Sequence, residues 1–176
     1  MKTIKEMNQA ELAAFVQEHL RAREIEVILS GGAVVGIYSE SKYVSKGIDL
    51  VNTQFVDRRR IKIAMQEIGF KPVGRHFEHP DSDQIIEFPS GPLSLGSDKV
   101  TQLNEIVLET GILRTLSPTD CVKDRLSHFF HWGDQQCLVQ AKLVAANHPI
   151  DFNDVRKWSM REGKGAAYEE IAEDIE

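Results

Sequence analysis

The chain has 176 residues, 41% of them hydrophobic, enough for one full core with a helical appendage. A net charge of −6 excludes bulk, sequence-independent nucleic-acid binding, which needs a basic surface to displace counterions from phosphates; only a local patch such as Arg58, Arg59 and Arg60 remains open. There is no apolar run of about eighteen residues and no leader-like start, so a cytoplasmic protein without a membrane partner is expected.

Asn8 three residues before Glu11 reads as a helix cap, and Leu12, Phe15, Val16 and Leu20 follow at helical spacing, which predicts a helix over 9–22. IEVIL at 25–29 is short and β-branched and runs straight into Ser30-Gly31-Gly32, a strand ending in a tight turn. AVVGIY is apolar without alternation and reads as a short helix, SESKYVS as a polar loop, and IDLVN at 48–52 as the next strand. Asp57 caps a helix lined by Ile61, Ala64, Met65 and Ile68 and ended by Gly69. FKPVG, RHFEH and QIIEF are strand candidates, the last two joined by the turn residues PDSD. A glycine- and proline-rich loop covers 88–99, and VTQLNEIVLETG with ILRTL supplies one or two more strands.

The character changes at Leu116. Ser117-Pro118-Thr119-Asp120 combines a cap, a proline at the first helical position and an acid in the first turn, with Val122, Leu126, Phe129 and Phe130 as the apolar stripe behind it. A further helix is expected over 134–146, and two more in DFNDVRKWSM and the acidic tail. The layout is an α/β body over 1–115 and a helical region over 116–176. Cys121 and Cys137 fall in helical patterns and read as buried, reduced thiols.

A strand, a Gly-Gly turn, a short helix and then a strand bearing acids suits phosphate chemistry. Glycines let the backbone approach a triphosphate, and acids two apart on a strand project to one side, where they hold magnesium for in-line phosphoryl chemistry. Gly-Gly, a spacer and SKGIDLV resemble the motif of the nucleotidyltransferase superfamily related to DNA polymerase beta, and within it the AbiEii-type toxins and minimal nucleotidyltransferases. The resemblance spans about residues 25–145. It implies a nucleotidyltransferase-like mixed sheet flanked by helices, a nucleoside triphosphate substrate bound at Ser30, Gly31 and Gly32, and magnesium held by Asp49 and Glu87, the latter in IIEFPSGPLSLG. It further implies functional roles for Lys123 in SPTDCVKDRL and Asp134 in WGDQQCL, an RNA or protein acceptor, and an antitoxin-like partner. The chain departs from the pattern at Gly47, where the family carries an aspartate that touches both metals; glycine offers no ligand.

Plainer readings stand beside these. A Gly-Gly pair alone marks a turn, and Asp49 among Ile48, Leu50 and Val51 lies either at a solvent-facing strand end or in a polar site. Lys123 on a solvated helix face and Asp134 as a helix cap are the alternatives to substrate roles. His76 and His79, three apart in a β-like segment, point to opposite faces, and His128 and His131 lack a third strong ligand, so no zinc site is assigned. Two functional readings follow: an active nucleotidyltransferase, or a catalytically inactive module of that fold acting through protein partners.

Overall fold

The computed structural model describes residues 1–176. Seven α-helices and nine strands follow the expected order: α1 Gln9–Arg21, β1 Val27–Ser30, α2 Gly32–Tyr38, β2 Gly47–Asn52, α3 Arg58–Glu67, β3 Lys71–Val73, β4 His76–Glu78 and β5 Ile85–Glu87. Then come β6 Ser94–Leu95, β7 Asp98–Lys99, β8 Asn104–Leu108, β9 Gly111–Thr115, α4 Pro118–Trp132, α5 Gln135–Asn147, α6 Phe152–Arg161 and α7 Gly165–Ile175. The segment expected to be loop over 88–99 carries a small hairpin, β6–β7, whose strands of two residues are too short to leave an alternating pattern in the sequence.

The caps form as the sequence predicts. Asn8 accepts from the Glu11 amide in a capping box, Asp57 caps α3, Ser117 caps α4 ahead of Pro118, and Gly69 turns the chain after α3 with φ +88°.

Seven strands form one mixed sheet in the order β3-β4-β5-β2-β1-β9-β8. β2 runs parallel to β5 and antiparallel to β1, and β9 runs parallel to β1. Register sorts residues into rows, because neighbours along a strand face opposite sides and paired residues share a side. One row, Phe77–Ile86–Ile48, is fully buried, and the Arg58 guanidinium lies 5.0 Å from the Phe77 ring centroid, so this row faces α3. The next row, His76–Glu87–Asp49–Ser30, crosses β4, β5, β2 and β1 and faces the opposite side. The sheet thus has an apolar side under α1 and α3, and a polar row on the other.

After Thr115 the chain is helical. α4 packs on α5 and α6, and α2 joins this layer to the sheet. Tyr38 at the end of α2 donates to the Leu116 carbonyl at 2.7 Å and accepts from Asn104 at 2.8 Å; burial pushes its phenol up to about 12. Trp158 on α6 is buried and donates to the Leu95 carbonyl at 3.0 Å, which ties the helices to the β6–β7 hairpin. One continuous apolar core runs from Leu12 on α1 to Ile175 on α7.

Candidate functional site

Ser30 ends β1 and Gly31 turns the chain into α2 with φ 74° and ψ −152°, a conformation that only glycine adopts without strain. Space demands glycine as well: a Cβ on Gly31 would sit 2.5 Å from Asp49 Oδ2. The Asp49 carboxylate therefore lies directly against the Gly31 backbone. On the other side, a Cβ on Gly32 would meet the Tyr43 ring at 3.3 Å and Ser45 at 3.4 Å, so the segment between α2 and β2 folds back beside the turn. Gln9 holds it there by donating to the Ser45 carbonyl at 2.6 Å, and Ser45 Oγ accepts from the Gly47 amide at 3.1 Å.

Asp49 and Glu87 are register partners on parallel neighbours, so their side chains leave the same side of the sheet next to one another. Both are half-buried. The environment holds the Asp49 carboxyl above the usual carboxylate range: burial contributes most, then the Glu87 charge; Arg125 opposes these and Asp124 adds to them. Two like charges side by side, incompletely neutralised by the protein, make a site that favours a cation.

Arg125 and Asp124 on α4 are thus the helical-region charges that act on Asp49. Arg125 Nη2 and Nε donate to Asp124 Oδ2 at 2.6 and 3.1 Å, and Nη1 donates to Gln140 Oε1 on α5 at 3.2 Å. The guanidinium side chain is only 11% exposed and is fixed by two helices. Sequence reading missed this pair. The signal was present in the phase of α4, since Arg125 stands one helical turn after the buried Cys121 and immediately before the buried Leu126, a charge at the edge of the apolar stripe.

Lys123 and Asp134 lie elsewhere. Lys123 is buried, donates to Asp154 on α6 at 2.7 Å and lies 3.8 Å from Asp120. These groups line a polar cavity of about 550 Å³ between α4, α6 and the β6–β7 hairpin, with Asp98 and Arg161 also in its wall. Asp134 is exposed and caps α5, accepting from the Gln136 and Cys137 amides; the Cys137 thiol also donates to it and helps hold its carboxyl below the usual range. Burial pushes the Cys137 thiol up to about 11 and the fully buried Cys121 thiol further still, so neither is a nucleophile at neutral pH. His76, in the polar row beyond Glu87, bonds Glu78 at 2.8 Å.

At Gly47 the chain is extended and a side chain would find room, the nearest outside atom being Ser45 Oγ at 3.9 Å. No donor stands there. No three His, Cys, Asp or Glu side chains come together as a metal-holding group. The two carboxylates Asp49 and Glu87 suit a single magnesium, which takes one or two carboxylates and completes its shell with waters and substrate phosphates.

No protein-family model and no curated protein matches the sequence. Two solved structures share the fold. One is the solution structure of the antibiotic-resistance factor ANT(2'')-Ia, with a TM-score of 0.52 and 11% identity over 91% of this chain and 90% of that one. The other is the crystal structure of ANT(2'')-Ia in complex with adenylyl-2''-tobramycin, with a TM-score of 0.53 and 12% identity over 94% of this chain and 99% of that one. The fold is nucleotidyltransferase-like. The likeness runs nearly end to end on both sides, so it takes in the helical region as well as the sheet. No helix is long and apolar enough to cross a membrane.

Proposed function

We propose that this chain transfers a nucleotidyl group from a nucleoside triphosphate to an acceptor hydroxyl, releasing pyrophosphate. The observation that carries the reading is the register pairing of Asp49 with Glu87, with the Asp49 carboxylate set against Gly31. Ser30, Gly31 and Gly32 receive the phosphates, and Gly31 allows close approach because it has no side chain. Asp49 and Glu87 would hold one magnesium, which when bound would supply positive charge to the phosphates. Glu87, the last residue of β5, would accept the acceptor's proton. Asp49, with its partner charge beside it and the glycine turn behind it, fixes where the triphosphate lies. Catalysis here consists mainly of positioning and charge neutralisation.

Several finer points belong to the same reading: a catalytic α/β domain over 1–115 with a helical domain over 116–176, a place closest to the AbiEii-type and minimal nucleotidyltransferases, and a cytoplasmic setting. An RNA or protein acceptor and an antitoxin-like partner complete it. One observation favours the second reading, an inactive module that works through protein contacts: Gly47 removes the ligand that would bridge two metals.

The test is transfer of label from α-³²P nucleoside triphosphates, with magnesium, to total cellular RNA and to total cellular protein. The expected result is a labelled acceptor with wild type and at least a hundredfold less, about 2.7 kcal/mol of lost transition-state stabilisation, with Asp49→Ala. Label transfer that persists in Asp49→Ala contradicts the assignment. Triphosphate binding without any transfer supports the inactive module.

A further inference from the structure

We propose that Arg125, held by Asp124 and Gln140, donates to a triphosphate oxygen beside Asp49 in a chain that lacks an acid at position 47. This rests on the nucleotidyl-transfer reading and adds to it a residue that the motif does not contain.

Three observations lead there. First, position 47 offers no donor and no third acidic group joins Asp49 and Glu87, so charge on a bound triphosphate must be met by something other than a second ion. Second, Arg125 is in the right layer. Tyr38 ends α2 and His148 follows α5; their rings meet at 5.0 Å, and α2 packs against α5. α2 begins at the glycine turn and packs against both α5 and α4, the helices that Arg125 and Gln140 join, so the guanidinium stands in the helical layer beside that turn. The influence of the Arg125 charge on Asp49 agrees with that placement. Third, the guanidinium is built rather than free. Of its five N–H donors, three go to Asp124 and Gln140; of the other two, one only grazes Cys137 Sγ at 4.0 Å. Asp124 and Gln140 fix the plane and leave one Nη2 hydrogen without a protein partner, a donor that a phosphate oxygen can take.

The alternative is that Arg125 only locks α4 to α5. The two roles separate in the metal dependence of binding. Binding of a fluorescent, non-hydrolysable adenosine triphosphate analogue is titrated with magnesium and again with chelator, for wild type, Arg125→Gln, Arg125→Lys and, as a control away from the site, Arg161→Gln. Thermal unfolding of each variant is followed in parallel. Wild type is expected to keep measurable binding in chelator. Arg125→Gln is expected to lose about tenfold or more of it, Arg125→Lys to retain part, and Arg161→Gln to match wild type. If wild type binds and a folded Arg125→Gln binds equally well in chelator, the inference falls while the nucleotidyl reading stands. Should Arg125→Gln fail to fold, the Arg125→Lys titration decides: binding in chelator weaker than wild type supports phosphate contact, and binding in chelator equal to wild type, or wild-type binding that chelator abolishes, overturns it. If wild type binds no triphosphate in either condition, the functional reading itself is overturned and the inference with it.

Discussion

Two cations stand two residues apart on α4 and face different parts of the molecule. Lys123 points to α6 and bonds Asp154; Arg125 points to α5, bonds Asp124 and Gln140, and its charge acts on Asp49. Both are largely buried, with 7% and 11% of the side chain exposed. A separation of two on a helix turns side chains by about 200°, so both cannot serve one site. The contrast shows that a buried charge on a helix identifies a constraint, and only the neighbouring element says whether the constraint is packing or chemistry.

Removing Lys123 tests the packing half of that contrast. Asp154 is 46% exposed and can rehydrate, so Lys123→Met should cost only about 1–2 kcal/mol, below the cost of breaking a fully buried pair. That lowers the melting temperature by a few degrees and leaves triphosphate binding unchanged. Thermal unfolding with a parallel binding titration checks it, and weakened binding in a folded Lys123→Met would move Lys123 into the site.

A smaller effect sharpens the other half, the charge balance around Asp49. Its carboxyl is held above the usual range, so the folded state binds more protons than the unfolded state between the ordinary carboxylate value and the raised one. Stability contributed by this group therefore falls as pH rises through that window, and the penalty is complete above it. Asp49→Asn removes the penalty. Its melting temperature should exceed wild type at about pH 7, and the gain should shrink toward about pH 4. A gain that grows on acidification would mean that Arg125 outweighs both burial and Glu87 at this carboxylate.

Much of this was legible in the sequence. Caps and periodicities placed all seven helices and six or seven of the nine strands, because side chains such as Asn8, Asp57, Ser117 and Pro118 act on their own backbone. The order of Gly31, Asp49 and Glu87 pointed to the candidate site within the sheet, and register makes Asp49 and Glu87 neighbours. Strand pairing is long-range, however, so the polar row that includes Ser30 and His76 appears only once β4, β5, β2 and β1 are aligned. In the helical half the limits were sharper. Motif resemblance selected Lys123 and Asp134, whereas the packing of α4 against α5 brings Asp124 and Arg125 toward Asp49, and inter-helix contacts leave no fixed spacing in one sequence.

The central claim is that Gly31, Asp49 and Glu87 form a triphosphate site lacking one ligand at position 47. Calorimetric titration of a triphosphate analogue with magnesium into wild type, Asp49→Ala and Gly47→Asp tests it most directly. Position 47 is extended, has room for a side chain and shares a side of β2 with Asp49, so the account predicts about tenfold tighter magnesium-dependent binding for Gly47→Asp and none for Asp49→Ala. Equal binding by all three proteins, or weaker binding by Gly47→Asp than by wild type, would contradict it.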